Sequence, residues 1–89
     1  MQVEWDPAKA EENWRKQGVY FMEAANVLLD PRGITQEDPS ALGEQRLVTV
    51  GMDLLARILI VVYTYRGELP RLISARRATR EERQQYERR

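Results

Sequence analysis

The side chains in this sequence best placed to do chemistry are arginines, and they come in groups. Arg46 and Arg57 each open an apolar stretch, Arg71, Arg76 and Arg77 mark a third, and Arg80 and Arg83 stand in a polar tail. Tyr63, Tyr65 and Tyr86 are interleaved with them. A guanidinium keeps its proton, so it stabilises charge rather than shuttling protons, and it grips phosphates through paired hydrogen bonds. Tyrosine rings beside it can stack on the open bases of single-stranded RNA. Histidine and cysteine are absent, which removes the common proton carrier near neutral pH, thiolate metal sites and disulfides. No glycine-rich phosphate loop and no metal-ligand cluster is present, and no cofactor is implied. Each of these residues also has a structural reading. Tyr63 sits on the most apolar stretch and suits a core, Arg57 and Arg66 can keep the ends of that stretch wet, and Arg83 can pair with Glu87 along a helix.

These groups lie on a chain of 89 residues, 43% hydrophobic and 31% charged, which suits one small domain spanning 1–89 with a modest core. The formal net charge is zero, but residues 1–44 carry four basic and nine acidic side chains while 45–89 carry ten basic and five acidic. The halves are therefore −5 and +5. Segregation of this kind suits either a polyanion-binding face or two halves that attract each other. The start, EWDPAKAEE, lacks the basic and apolar run of a signal peptide, and no stretch has the length of a membrane span. A cytoplasmic protein is expected.

The elements that must position the arginines can be read from spacing. In DPAKAEENWRKQG, Asp6 suits the N-cap, Pro7 the first helical position and Gly18 the left-handed residue after the end. Ala10 and Trp14 form a narrow stripe that points to the core. Phe21, Ala24, Ala25 and Leu28 are spaced as one face of a second short helix, ended by Asp30-Pro31-Arg32-Gly33. Residues 34–43 read as a brief strand running into a loop.

QRLVTVGM alternates, with Arg46, Val48, Val50 and Met52 on one face and Leu47, Thr49 and Gly51 on the other, and RILIVVYTY reads as a strand covered on both sides. ELPRLISAR is a third, with Pro70 near its start. The short links DLLA and RGE favour an antiparallel meander. Thr79 and Glu82 have capping-box spacing for a last helix. The predicted fold is α+β: two N-terminal helices on one side of an antiparallel sheet of three to five strands, plus a C-terminal helix. The other side of the sheet is expected to be open, and the last helix to fray without a partner.

WDPAKAEENWRKQGVYFMEAANVLLD, EQRLVTVGM, ILIVVYTYRG and RLISARRATREERQQYE together resemble the BrnT-type ribonuclease toxins, a family also known as DUF497, over nearly the whole chain. The resemblance implies a RelE-like fold and an RNA-cleaving toxin of a type II toxin-antitoxin pair. It further implies a BrnA-like antitoxin that carries the DNA-binding domain, so that DNA is met only through a hetero-oligomer of the two. Lys16-Gln17-Gly18 departs from the Lys-His-Gly usual in the family, replacing a titratable ring with an amide. Tyr20 stands where the family places a capping serine, which leaves Glu23 without its reciprocal partner.

On this reading Arg46, Arg76 and Arg77 contact phosphate in one pocket, Lys16 lies nearby, and Glu44 and Tyr63 are candidates for proton transfer. Arg57, Arg80, Arg83 and Tyr86 face RNA or the antitoxin. The alternative is a toxin-like binding module, weakly active or inactive, that serves within a repressor complex.

Overall fold

The computed structural model describes residues 2–88. Helix α1 (Pro7–Gln17) begins where the Asp6 carboxylate accepts the N–H of Ala8 and ends at Gly18, whose φ of 67° suits a residue without a Cβ. Helix α2 (Phe21–Ala24) runs directly into a 3-10 turn, Ala25–Leu29. Four strands follow, β1 (Ile34–Glu37), β2 (Leu47–Met52), β3 (Ile58–Arg66) and β4 (Leu69–Arg77), and then helix α3 (Arg80–Glu87). The sheet is an antiparallel meander in the order β1-β2-β3-β4. The two helices, the sheet and the terminal helix thus form the predicted α+β arrangement. No described helix is long and apolar enough to cross a membrane.

The helical layer packs Val19, Phe21, Ala24 and Val27 onto Leu59, Val61, Tyr63, Leu72 and Ala75, with Trp5 edge-on to Phe21 at 6.0 Å between ring centroids. Burial of each large side chain contributes roughly 1.5–3 kcal/mol. Leu72 and Ala75 share this face although they are three residues apart. A regular strand would put them on opposite faces; the register shift between Val62 and Tyr63 makes Ile73 an extra residue and reverses the alternation. Arg71 therefore stands opposite Thr64, on the face that also carries Ser74 and Arg76.

The outer edge of β4 is closed without another strand. The Asn13 amide, buried in α1, donates to the carbonyls of Ala75 (2.9 Å) and Val19 (3.0 Å) while its oxygen accepts the N–H of Ala75 (2.9 Å). Glu4 bridges Pro70 and Leu72 further along, so the VEW segment supplies one strand-like residue. Backbone groups that could recruit a foreign strand are thereby satisfied.

Three expectations are corrected. The second face of the sheet is partly covered: α3 lies against β2, Ile58 and Ile60 are buried there, and Tyr86 is buried with its hydroxyl on the Asp30 carboxylate at 2.5 Å. With that anchor and a complete Thr79–Glu82 capping box, α3 is docked rather than frayed. Trp14 lies outside the core, 43% exposed, because its ring stacks on Tyr20 at 4.1 Å instead of turning inward.

Candidate nucleic-acid interface

At the end of the sheet where β3 turns into β4, the fold makes a hollow of about 300 Å³ lined by Lys9 of α1, Glu44 and Arg46 ahead of β2, Thr64 to Arg66, and Arg71 to Ile73. Its walls are fixed by the backbone. Thr64 donates its hydroxyl to the carbonyl of Gln45 at 2.7 Å, and the N–H of Asp38 bonds the carbonyl of Arg46 at 2.8 Å, so the loop carrying Glu44 and Arg46 is tied over β3. The bulge at Ile73 brings Arg71 opposite Thr64. A second hollow, lined by Lys16, Gln17 and Ser74, shares Lys9 and Ile73 with the first.

Among the described residues, four cations, Lys9, Arg46, Arg66 and Arg71, thus border one concavity with a single lining carboxylate, Glu44. Arg46 and Glu44 stand 3.4 Å apart, both substantially exposed, and Arg71 reaches Glu4 only at 3.6 Å. The exposed Arg46–Glu44 pair is weak and yields readily to a phosphate, whereas the Arg71–Glu4 pair is only partly exposed, at 28% and 34%. Tyr65 is 53% exposed at the rim and held edge-to-face on Tyr63 at 6.1 Å. An excess of positive charge beside an open ring is suited to a single-stranded polyanion.

The remaining predicted residues do not join this hollow. Arg46 neighbours the β3 position of Thr64, whereas Arg76 and Arg77 pair with Ile60 and Leu59. Four to five residues of strand separate them, roughly 13–17 Å. The single pocket of Arg46, Arg76 and Arg77 is therefore not formed. Arg76 donates to both Glu82 oxygens, at 2.9 and 3.0 Å, and this hydrogen bonding raises its pKa further. It fastens α3 rather than facing solvent freely.

Arg57 is held at the opposite end of β3 by Asp53 (2.7 Å) and Glu23 (3.0 Å), and the hydrogen bond with Asp53, aided by Glu23, raises its pKa. Glu23 thus finds in Arg57 the partner that a capping serine would have given. Tyr63 is buried, its hydroxyl sharing a 2.9 Å hydrogen bond with Thr49, and lies in the core rather than at a proton-transfer position. Tyr86 is likewise buried and not part of an outward surface, while Arg80 and Arg83 are exposed on α3. Lys16 pairs with Glu12 at 3.0 Å beside the second hollow. Lys9, Tyr65, Arg66 and Arg71 are the additions the folded chain makes. Arg66 reads in the sequence as strand-end solvation, Arg71 and Tyr65 belong to the arginine and tyrosine pattern without an assigned role, and Lys9 on α1 carries no local signal.

Asp30 shows how firmly α3 is seated. Burial pushes its carboxyl up, but hydrogen bonds from Tyr86 and from the N–H groups of Met52 and Arg32 outweigh it and hold the pKa below the ordinary value. Burial, reinforced by the Asp30 charge, raises the Tyr86 phenol.

The fold and the basic hollow can be set beside known proteins. Residues 5–82 match the family described as the ribonuclease toxin, BrnT, of type II toxin-antitoxin systems. The chain is similar to the 1.1 Å crystal structure of the Brucella abortus ribonuclease toxin BrnT, with a TM-score of 0.67 over 90% of this chain and 99% of that one. At 24% identity that likeness speaks for the fold. No curated protein matches the chain. A family match across nearly the whole domain is decisive: the chain belongs to the BrnT family of ribonuclease toxins of type II toxin-antitoxin systems.

Proposed function

We propose that the chain is an endoribonuclease that binds single-stranded RNA across the Lys9–Arg46–Arg66–Arg71 hollow and cleaves it by phosphodiester transfer. The observation that carries this reading is the convergence of four cations, one carboxylate and one exposed ring on a single concavity. An RNA 2′-hydroxyl attacks the adjacent phosphorus, the P–O5′ bond breaks, and a 2′,3′-cyclic phosphate and a 5′-hydroxyl result, the departing 5′-oxygen taking its proton from solvent water. Arg46 and Arg71 stabilise the added negative charge, and Lys9 and Arg66 hold the flanking backbone. Positioning and electrostatics supply most of the acceleration, so the scheme works with a modest base. Glu44, beside Arg46, takes the 2′ proton. The excess of cations over carboxylates favours a phosphate over a divalent cation, so metal-independent cleavage is proposed.

The partner is a BrnA-like antitoxin that contacts DNA on behalf of a hetero-oligomer, in the cytoplasm. A second reading, a binding module without catalysis, draws support from Gln17, whose amide lines the adjoining hollow where a histidine could have carried a proton. Incubation of the purified protein with total RNA in EDTA separates the two. Cleavage that falls by about a hundredfold in Arg46→Ala or Arg71→Ala is expected. RNA retained but uncut by the native chain selects the binding module.

A further inference from the structure

The opposite end of the sheet carries a second surface that the RNA reading does not use. Three large apolar side chains are exposed within four positions of the β2–β3 turn: Met52 (40%), Leu54 (83%) and Leu55 (60%). Their presentation is rigid. The buried Asp53 carboxylate accepts the N–H groups of Leu55 (3.0 Å) and Arg57 (2.9 Å) and binds the Arg57 side chain, which is itself clamped to Glu23 of α2. Ala56 closes the turn with φ of 62°, a left-handed conformation unusual for a residue with a Cβ. A turn held this firmly presents its leucines without a large ordering cost on binding.

Beside it, Met52, Ile58 and Ala78 line a cleft of about 160 Å³ between the turn and α3, bordered by Arg77, Arg83 and Glu87. Among the described residues, neither Arg77 nor Arg83 has an acidic partner within ion-pair distance. The cleft thus combines an apolar floor with two uncompensated guanidiniums, next to exposed leucines. Nucleic acid fits this poorly, because leucine and methionine offer no ring on which a base can stack. An acidic peptide with apolar side chains between its carboxylates matches both features.

We propose that the cleft between the β2–β3 turn and α3 is a docking surface for an acidic protein segment, whose carboxylates meet Arg77 and Arg83 while its apolar side chains pack on Met52, Leu54 and Leu55. The surface lies at the far end of β3 from the RNA hollow, so it can be occupied independently. The probe is a fluorescein-labelled peptide in which leucines are interspersed with glutamates, with a lysine-for-glutamate peptide and a single-stranded RNA oligomer as comparators. Binding is read by anisotropy and mapped by amide chemical shifts on the whole protein.

The expected result is saturable binding of the acidic peptide alone, with shifts at Met52, Ala56, Ala78 and Arg83. The double variant Arg77→Glu, Arg83→Glu should weaken it by at least about tenfold, and Leu54→Ser, Leu55→Ser should weaken it without changing the net charge. RNA should instead shift Thr64, Tyr65 and Ile73, and its binding should persist in both variants. The proposal is overturned by absent peptide binding, by peptide shifts confined to the Arg46 hollow, by affinity unchanged in both variants, or by RNA shifting the cleft.

Discussion

The Arg76 guanidinium donates to both carboxylate oxygens of Glu82, and the same carboxylate accepts the N–H of Thr79 at 2.8 Å. One side chain thereby caps α3 and fastens it to β4. The Arg76 hydrogen bonds, opposed by burial and helped by the Thr79 N–H, bring the Glu82 pKa from 4.5 to about 2. A depressed folded value means that the stabilisation is complete above the unfolded pKa and is lost as pH falls through the folded one. Because the two side chains are 42% and 30% exposed, screening limits the contribution to about 1 kcal/mol rather than the full linkage value. The stability difference between the native chain and Glu82→Gln should be about 1 kcal/mol near neutrality and should close as pH falls from 4.5 toward 2. Thermal melts across that range check it, and a difference that ignores pH would count against the account.

Asn13 substitutes for a strand at the edge of β4. Replacing it with alanine leaves the N–H and C=O of Ala75 and the C=O of Val19 without their partner in a buried site. A loss of about 2–3 kcal/mol in urea unfolding is expected. Hydrogen exchange should accelerate most at the Ala75 amide, and equal protection there in variant and native chain would show that water or another group takes over the bond.

What the sequence made legible, and what it concealed, divides along physical lines. The caps of α1, the capping box of α3, the alternation of Leu47, Thr49 and Gly51 and the hairpin links are local signals, and the folded chain obeys them. Local signals cannot report a bulge. Ile73 breaks the alternation and so decides where Arg71 points, although nothing in LISAR marks it. Nor can they report partners distant in the chain. Tyr86 was read as outward because α3 has little apolar stripe, yet Asp30, 56 positions away, holds it inside. The phosphate role expected of Arg76 gives way because the capping glutamate, Glu82, lies within its reach. Of the candidate hollow, Glu44 and Arg46 stand among the residues singled out in the sequence, while its other charged lining comes from Lys9 and from Arg66 and Arg71 around the β3–β4 turn.

Two backbone positions should respond in opposite directions. A Cβ on Gly51 would meet Val27 Cγ1 at 2.9 Å and the Val27 carbonyl oxygen at 3.2 Å, where β2 passes beneath the 3-10 turn. Gly51→Ala should therefore destabilise by about 1–3 kcal/mol. Ala56, with φ of 62°, should gain up to about 1 kcal/mol on replacement by glycine, because the left-handed conformation is disfavoured by a Cβ. Denaturant midpoints of both variants test the pair, and a destabilised Ala56→Gly would mean that the loss of unfolded-chain stiffness outweighs the relief.

The basic hollow makes a separable prediction for ring and charge. Tyr65 stands 53% exposed at its rim while Arg71 stands opposite Thr64 within it. If the ring stacks on a base and the guanidinium neutralises a phosphate, the two substitutions should fail differently. Tyr65→Ala should cost single-stranded RNA binding about 1–3 kcal/mol while leaving its salt dependence unchanged. Arg71→Ala should make the slope of log affinity against log salt shallower by about 0.7, the value for one phosphate contact on a single strand. Base-paired RNA, whose faces are already stacked, should be insensitive to Tyr65→Ala. Binding isotherms over a salt series distinguish the roles: a Tyr65→Ala variant that changes the slope, or an Arg71→Ala variant that does not, would remove the hollow as the place where RNA is held.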